Sequence, residues 1–190
     1  MMTNKSLSNF KDSIHHSLKT KEKNGCLCVR EQEESSKIGD IYFNKGNNDD
    51  ILIIQQDITK CRAIENLFEE KTRVDSCDFI VLICKNKNLH IFFCEIKSSN
   101  SQKNCEKALE QIDSSKIFFE YLYKNYKHHF KVDDFDISLE NAKNIYIYPA
   151  SISSKGKTFG SSKNVLKMKP IKINSGKNMI KNDIYHFFGV

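Results

Sequence analysis

Residues 78–97, DFIVLICKNKNLHIFFCEIK, are two apolar runs separated by Lys85-Asn86-Lys87-Asn88. Runs of this length around a polar break read as a β-hairpin. The register follows from counting. A two-residue turn at Asn86-Lys87 sets Lys85 opposite Asn88, and a four-residue loop over 85–88 sets Cys84 opposite Leu89. Either way, paired positions sum to 173, and Asp78 lies opposite Glu95. Opposed residues of an antiparallel pair project to one face, with Cβ atoms about 4.5–5.5 Å apart. Lys97 is two residues beyond Glu95 and shares that face. The hairpin therefore gathers an Asp, a Glu and a Lys at one end.

Side-by-side carboxylates repel, and one has its pKa raised unless a cation lies between them. A hard divalent cation resolves the conflict, since Mg²⁺ commonly rests on one or two carboxylates together with substrate phosphate. A nearby lysine can stabilise charge on that phosphate or help orient an attacking water. This is the chemistry of phosphodiester hydrolysis.

The rest of the chain supplies context. At 190 residues it is long enough for one substantial core, and a single domain over 1–190 is expected. Hydrophobic residues at 39% and charged residues at 28% fit a folded chain rather than a disordered one. No apolar run approaches the ~18 residues of a membrane span. The polar N-terminus has no signal-peptide core, so a cytoplasmic location and no membrane partner are expected. The seven cysteines are odd in number, several lie in apolar runs, and the Cys26/Cys28 pair lacks zinc-site spacing.

A helix is expected around Asn9–Lys19, a strand over 38–44, and a turn or helix start at GNNDD (46–50). The pattern from Ile51 to Lys71 reads as helical, with Ile58, Cys61, Ile64, Leu67 and Phe68 at spacings of three and four. After the hairpin comes a long helix over about 102–127, with an apolar stripe from Cys105 to Tyr126, and then a strand over 145–150. The expected fold is α/β, a central mixed sheet flanked by helices. Adjacent histidines (His15-His16, His128-His129) do not face one another on a helix or strand and read as surface residues. The stretch SSKGKT (153–158) lacks phosphate-loop spacing.

Asp78, a strand, and then Glu95-Ile96-Lys97 in FFCEIKSS resemble the PD-(D/E)xK nuclease superfamily. The helix, strand, strand, helix, strand order over about 51–150 matches it, although Cys77 stands where many members have proline. The resemblance implies a restriction-endonuclease-like core and a metal-dependent nuclease hydrolysing DNA, in restriction, repair or phage defence. It implies Asp78, Glu95 and the carbonyl of Ile96 as ligands of Mg²⁺ or Mn²⁺, with Lys97 stabilising charge at phosphorus. Members often add an acid from the preceding helix; Glu65, Glu69 and Glu70 are candidates, with Glu65 nearest the apolar stripe. Many also carry a Gln or Lys on the following helix, and Gln111 matches best.

From Ser151 to Asn182 there are eight lysines and no acid. This basic C-terminal segment, 151–190, suits an anionic partner, with Lys155, Lys157, Lys163, Lys167, Lys169 and Lys172 gripping a phosphate backbone. The competing reading is a solvated tail. DNA is the expected polymer, by the resemblance alone, with RNA the alternative. Superfamily members are often dimers, so a homodimer or protein partner is a further expectation. The rival functional reading is a catalytically inactive nuclease fold serving as a DNA-binding or protein-interaction subunit.

Overall fold

The computed structural model describes residues 4–30, 36–46, 50–55, 76–133, 136–150, 158–161, 164–173 and 180–190. The expected helical segment after residue 55, with Glu65, Glu69 and Glu70, lies outside the described residues. So do Lys155, Lys157 and Lys163.

The chain is mixed α/β with two mixed sheets. In chain order the strands are β1 (Lys21–Lys23), β2 (Cys26–Val29), β3 (Ile41–Asn44), β4 (Ile51–Ile54), β5 (Phe79–Lys85), β6 (Asn88–Ile96), β7 (Lys143–Pro149), β8 (Thr158–Ser161), β9 (Asn164–Ile171) and β10 (Ile180–Asp183). The helices are α1 (Asn4–Ser13), α2 (Gln102–Phe130) and the short α3 (Ile184–Phe188). The large sheet runs β4-β5-β6-β7-β9-β8 and the small one β1-β2-β3-β10.

β5 and β6 form the hairpin with the register counted from sequence: Lys85 faces Asn88, Cys84 faces Leu89, and Phe79 faces Cys94. Asn86 and Lys87 both have positive φ, as a two-residue type I′ turn requires. α2 then carries the chain back over the sheet, so that β7 pairs parallel to β6 and β9 parallel to β7. Ser101 caps α2 by accepting from Asn104 N, and Lys131 closes it in the left-handed conformation. Its buried stripe is Cys105, Ala108, Ile112, Ser115, Phe119, Tyr123 and Tyr126, at the helical spacing of three and four.

Alternation along the strands divides the core in two. Ile80, Leu82, Ile91, Phe93, Tyr146 and Tyr148 face α1 and α2. Phe79, Val81, Ile83, Phe92, Cys94, Ile145 and Ile147 face the small sheet and α3. Of this second sheet only β3 was expected, as the strand over 38–44; the sheet takes the place of a helical layer. Its first hairpin turns at Asn24-Gly25, both at positive φ.

Three readings change. Ile51–Ile54 is a fully buried strand rather than the start of a helix, because four successive apolar residues bury both faces of β4. Among its described residues the lysine-rich segment is part of the fold, against the competing reading of a solvated tail: Leu166, Ile171 and Ile184 are buried, and β9 lies inside the large sheet. The N-terminal helix also begins earlier than expected, at Asn4, and ends at Ser13. Among the described residues, no helix is long and apolar enough to cross a membrane.

Candidate functional site

β5 begins just after Asp78, where its antiparallel neighbour β6 ends. β6, β7 and β9 run parallel to one another, and their carboxyl ends lie on that side. Ligands of open α/β sheets gather at such ends. By the alternation that places Ile80 and Phe93 under α2, Asp78, Glu95 and Lys97 belong to the α2 face.

The two acids are locked together through the main chain. Asp78 N donates to Glu95 Oε2 at 3.2 Å, and Ile96 N donates to Asp78 Oδ2 at 2.6 Å. Lys97 Nζ forms an ion pair with Glu95 Oε1. Lys97 N is tied to Ile147 O at 2.9 Å, which fixes the strand end against β7. Each acid thus holds the other's strand. Removing either carboxylate removes a hydrogen bond as well as a charge.

Glu95 is 1% exposed. Burial pushes its carboxyl well above the usual carboxylate range, and the charge of Asp78 pushes the same way; Lys97 pulls it back. Beneath it, Cys77 is raised by burial, and Ser115 opposes that shift.

α2 grips the chain just before Asp78. Ser115 Oγ accepts from Cys77 N at 2.8 Å, and Gln111 Nε2 donates to Ser76 O at 3.2 Å. Gln111 therefore reaches the segment that sets Asp78, as its place on the stripe's flank suggested. Its Oε1 is buried and meets no hydrogen-bond donor among the described residues. Ser115 was not anticipated. The signal was a serine in the apolar stripe, three residues after Ile112 and four before Phe119. Tyr146, opposite Glu95 on β7, donates to Ser99 O at 2.5 Å and steadies the loop between Lys97 and α2.

A hard divalent cation fits this donor set. The two carboxylates form one hydrogen-bonded unit. In an extended strand the amide and carbonyl of one residue point to the same edge, so the Ile96 carbonyl faces the Asp78 side, where its amide is bound. Positive charge there would offset both the desolvation of Glu95 and its repulsion from Asp78. Among the described residues, no group of three or more His, Cys, Asp and Glu side chains that could hold a metal is present. A cation would therefore rest on Asp78, Glu95, the Ile96 carbonyl and exogenous oxygens.

The expected lysine grip is divided differently. Lys167 pairs with Ile145 and Lys169 with Ile147, so both lie on the face of the small sheet, opposite the acids. Lys169 Nζ sits 5.6 Å from the Phe187 ring centroid. Lys172 is exposed just beyond β9. Comparison with protein-family models, curated proteins and solved structures finds no match to this chain.

Proposed function

We propose that this protein is a metal-dependent nuclease that hydrolyses DNA phosphodiester bonds at Asp78, Glu95 and Lys97, within a restriction-endonuclease-like core. The observation that carries the reading is the reciprocal bonding of Asp78 and Glu95 with Lys97 paired to Glu95, at the carboxyl end of the parallel strands. A purely structural ion pair has no need of a second, like-charged acid beside a buried one. The β6–α2–β7 crossover after an antiparallel hairpin further supports it.

Asp78, Glu95 and the Ile96 carbonyl would hold Mg²⁺ or Mn²⁺. When bound, the cation supplies a Lewis acid for a phosphate oxygen and a water of lowered pKa. Lys97 exchanges its Glu95 contact for the phosphate and stabilises the negative charge that builds there. Gln111 and Ser115 hold Ser76 and Cys77, and so fix the approach of Asp78. Tyr146 holds the loop that follows Lys97.

The test is incubation with supercoiled, linear, branched and single-stranded DNA, and with RNA, in Mg²⁺, Mn²⁺ or EDTA. Cleavage that EDTA stops and Glu95→Gln abolishes supports the reading. A second reading, a nuclease fold that binds without cutting, draws on the engagement of both Glu95 oxygens by Asp78 N and Lys97. Metal-independent binding with no cleavage of any substrate would favour it.

A further inference from the structure

The other face of the large sheet carries a different arrangement. Lys85 faces Asn88, His90 lies two residues along β6, Lys143 faces Phe92, and Lys167 faces Ile145, whose β6 partner is Cys94. Measured along β6, the four side chains fall level with residues 88, 90, 92 and 94. They sit on β5, β6, β7 and β9 respectively. Each step moves one strand across and two residues along. With strands ~4.8 Å apart and ~3.3 Å per residue, each step is about 8 Å and the row about 24 Å long.

All four share the face of Ile83, Phe92 and Ile145, away from α2. Lys143 Nζ lies 5.4 Å from the Phe92 ring centroid, and Lys85 Nζ lies 5.5 Å from that of Tyr185. Lys85 Nζ also donates to Val190 O, on the last residue of the sequence, at 2.7 Å, which orients the side chain. Lys85 and Lys167 are exposed, and His90 and Lys143 are half-buried. Among the described residues, none of the three lysines is paired with an Asp or Glu side chain. Burial lowers the His90 and Lys143 pKa values, and the charges that add to those shifts come only from lysines: Lys143 and Lys85 on His90, and Lys167 on Lys143.

Like charges aligned on a rigid sheet, with no acidic side chain among them, match a linear polyanion. Nucleic acid carries a phosphate about every 3.4 Å of rise per strand, so a row of this length spans several phosphates. A folded acidic protein would have to present carboxylates at the same regular diagonal spacing. We infer that Lys85, His90, Lys143 and Lys167 form a docking track for the phosphate backbone of nucleic acid, separate from the Asp78–Glu95–Lys97 corner. The nuclease reading gives this track a use, but the track does not depend on it. Because the two lie on opposite faces of the sheet, one straight segment cannot occupy both. The track holds DNA flanking the cut or a second segment.

The track is tested by binding of the full chain to labelled duplex of about 40 base pairs in EDTA, at salt between about 50 and 200 mM. The variant is Lys85→Gln/Lys143→Gln/Lys167→Gln. A comparison variant, Lys5→Gln/Lys103→Gln/Lys131→Gln, changes net charge equally with exposed lysines on α1, on α2 and at the C-terminal cap of α2. The track variant is expected to lose at least about tenfold in affinity and roughly 2.7 from the salt slope, 0.9 for each of three phosphate contacts. The comparison variant should stay within about twofold of the parent. If the triple change unfolds the protein, Lys143→Gln and Lys167→Gln singly should each lower the slope by about 0.9. Equal losses in both triple variants, or none in the track variant, overturn the track. So does track-dependent binding to phosphatidylserine vesicles that is tighter than to DNA. Because binding is read without metal, absence of cleavage would sink the nuclease reading and leave the track standing. Cleavage with track-independent binding would do the reverse.

Discussion

At the carboxyl end of β6, charges of both signs converge and are satisfied internally: Glu95 is buried, bonded to Asp78 N and paired with Lys97. On the other face of the sheet, Lys85, Lys143 and Lys167 are strung out diagonally from the hairpin turn, and among the described residues none is paired with an Asp or Glu side chain. The first arrangement is costly to assemble, because a buried carboxylate beside another acid is desolvated and repelled. The second costs little in the folded protein, since mostly solvated charges about 8 Å apart interact weakly. On the proposed reading, expense of that kind serves chemistry, where a few groups must be held rigidly. Cheap dispersed charge marks grip, where many weak contacts add.

The largest effect should come from breaking the convergent corner. Asp78→Asn and Glu95→Gln are each expected to lower metal-dependent cleavage by at least about 10²–10³-fold, the range seen when one preorganised electrostatic group is removed. DNA binding in EDTA should hardly change. Lys97→Ala should behave the same way, losing turnover and keeping affinity, while the track variant weakens binding and spares single-turnover cleavage at saturating DNA. If Lys97→Ala weakens binding as much as the track variant, the division between the two corners fails.

The buried acid also makes a stability prediction whose sign is fixed. The folded Glu95 carboxyl is raised above its unfolded value near 4.3, so between those two values the folded state binds more protons. Stability from this group is therefore present at low pH and falls as pH rises from about 4.3 through the folded value. Glu95→Gln removes the dependence. Without metal, the melting temperature of the variant should gain on the parent as pH rises through that window. Adding Mg²⁺ should raise the parent's melting temperature and not the variant's, as binding to the folded state alone requires. A constant difference across pH would mean that Glu95 is not the strained group.

A smaller effect separates the site from its support. Ser115→Ala leaves the buried Cys77 amide without its acceptor and should cost about 1–3 kcal/mol in denaturant unfolding. Because Cys77 precedes Asp78, cleavage should also fall, with DNA affinity unchanged. Ser115→Thr keeps the hydroxyl and should restore part of the activity if the extra methyl is accommodated. Loss of stability with full activity would show that α2 supports the core but does not position Asp78.

The convergent corner was legible in the sequence because hairpin register is a counting problem, and one wrong count turns Asp78 and Glu95 to opposite faces. The α2 stripe was legible for a similar reason. The track was not, because it depends on β7 lying beside β9, a pairing that no local pattern encodes. In NVLKMKPI the alternation of Leu166, Met168 and Pro170 with Val165, Lys167 and Lys169 was present, but lysine density made the segment look like a tail. Ile51–Ile54 misled because a short, fully apolar run fits either a buried strand or a helix. The small sheet was hidden by its polar first strand, Lys21-Glu22-Lys23, although Asn24-Gly25 is a strong turn signal.

The smallest prediction concerns the turn of the β5–β6 hairpin, which sets the register of Asp78 against Glu95. Asn86-Lys87 has the same left-handed geometry as Asn24-Gly25, but with lysine where the other turn has glycine. A Cβ in that conformation costs about 1–2 kcal/mol, offset in part because glycine loses about 0.4–1 kcal/mol more entropy on folding. Lys87→Gly should thus stabilise the protein by roughly 0.5 kcal/mol. Gly25→Lys has open space around its Cβ, so backbone strain alone should make it destabilising by a similar amount. Neither change moves the register, so cleavage and the salt slope of binding should both stay at the parent's values in Lys87→Gly. Loss of cleavage in Lys87→Gly would mean that the turn residue, and not the count of residues around it, holds Asp78 against Glu95.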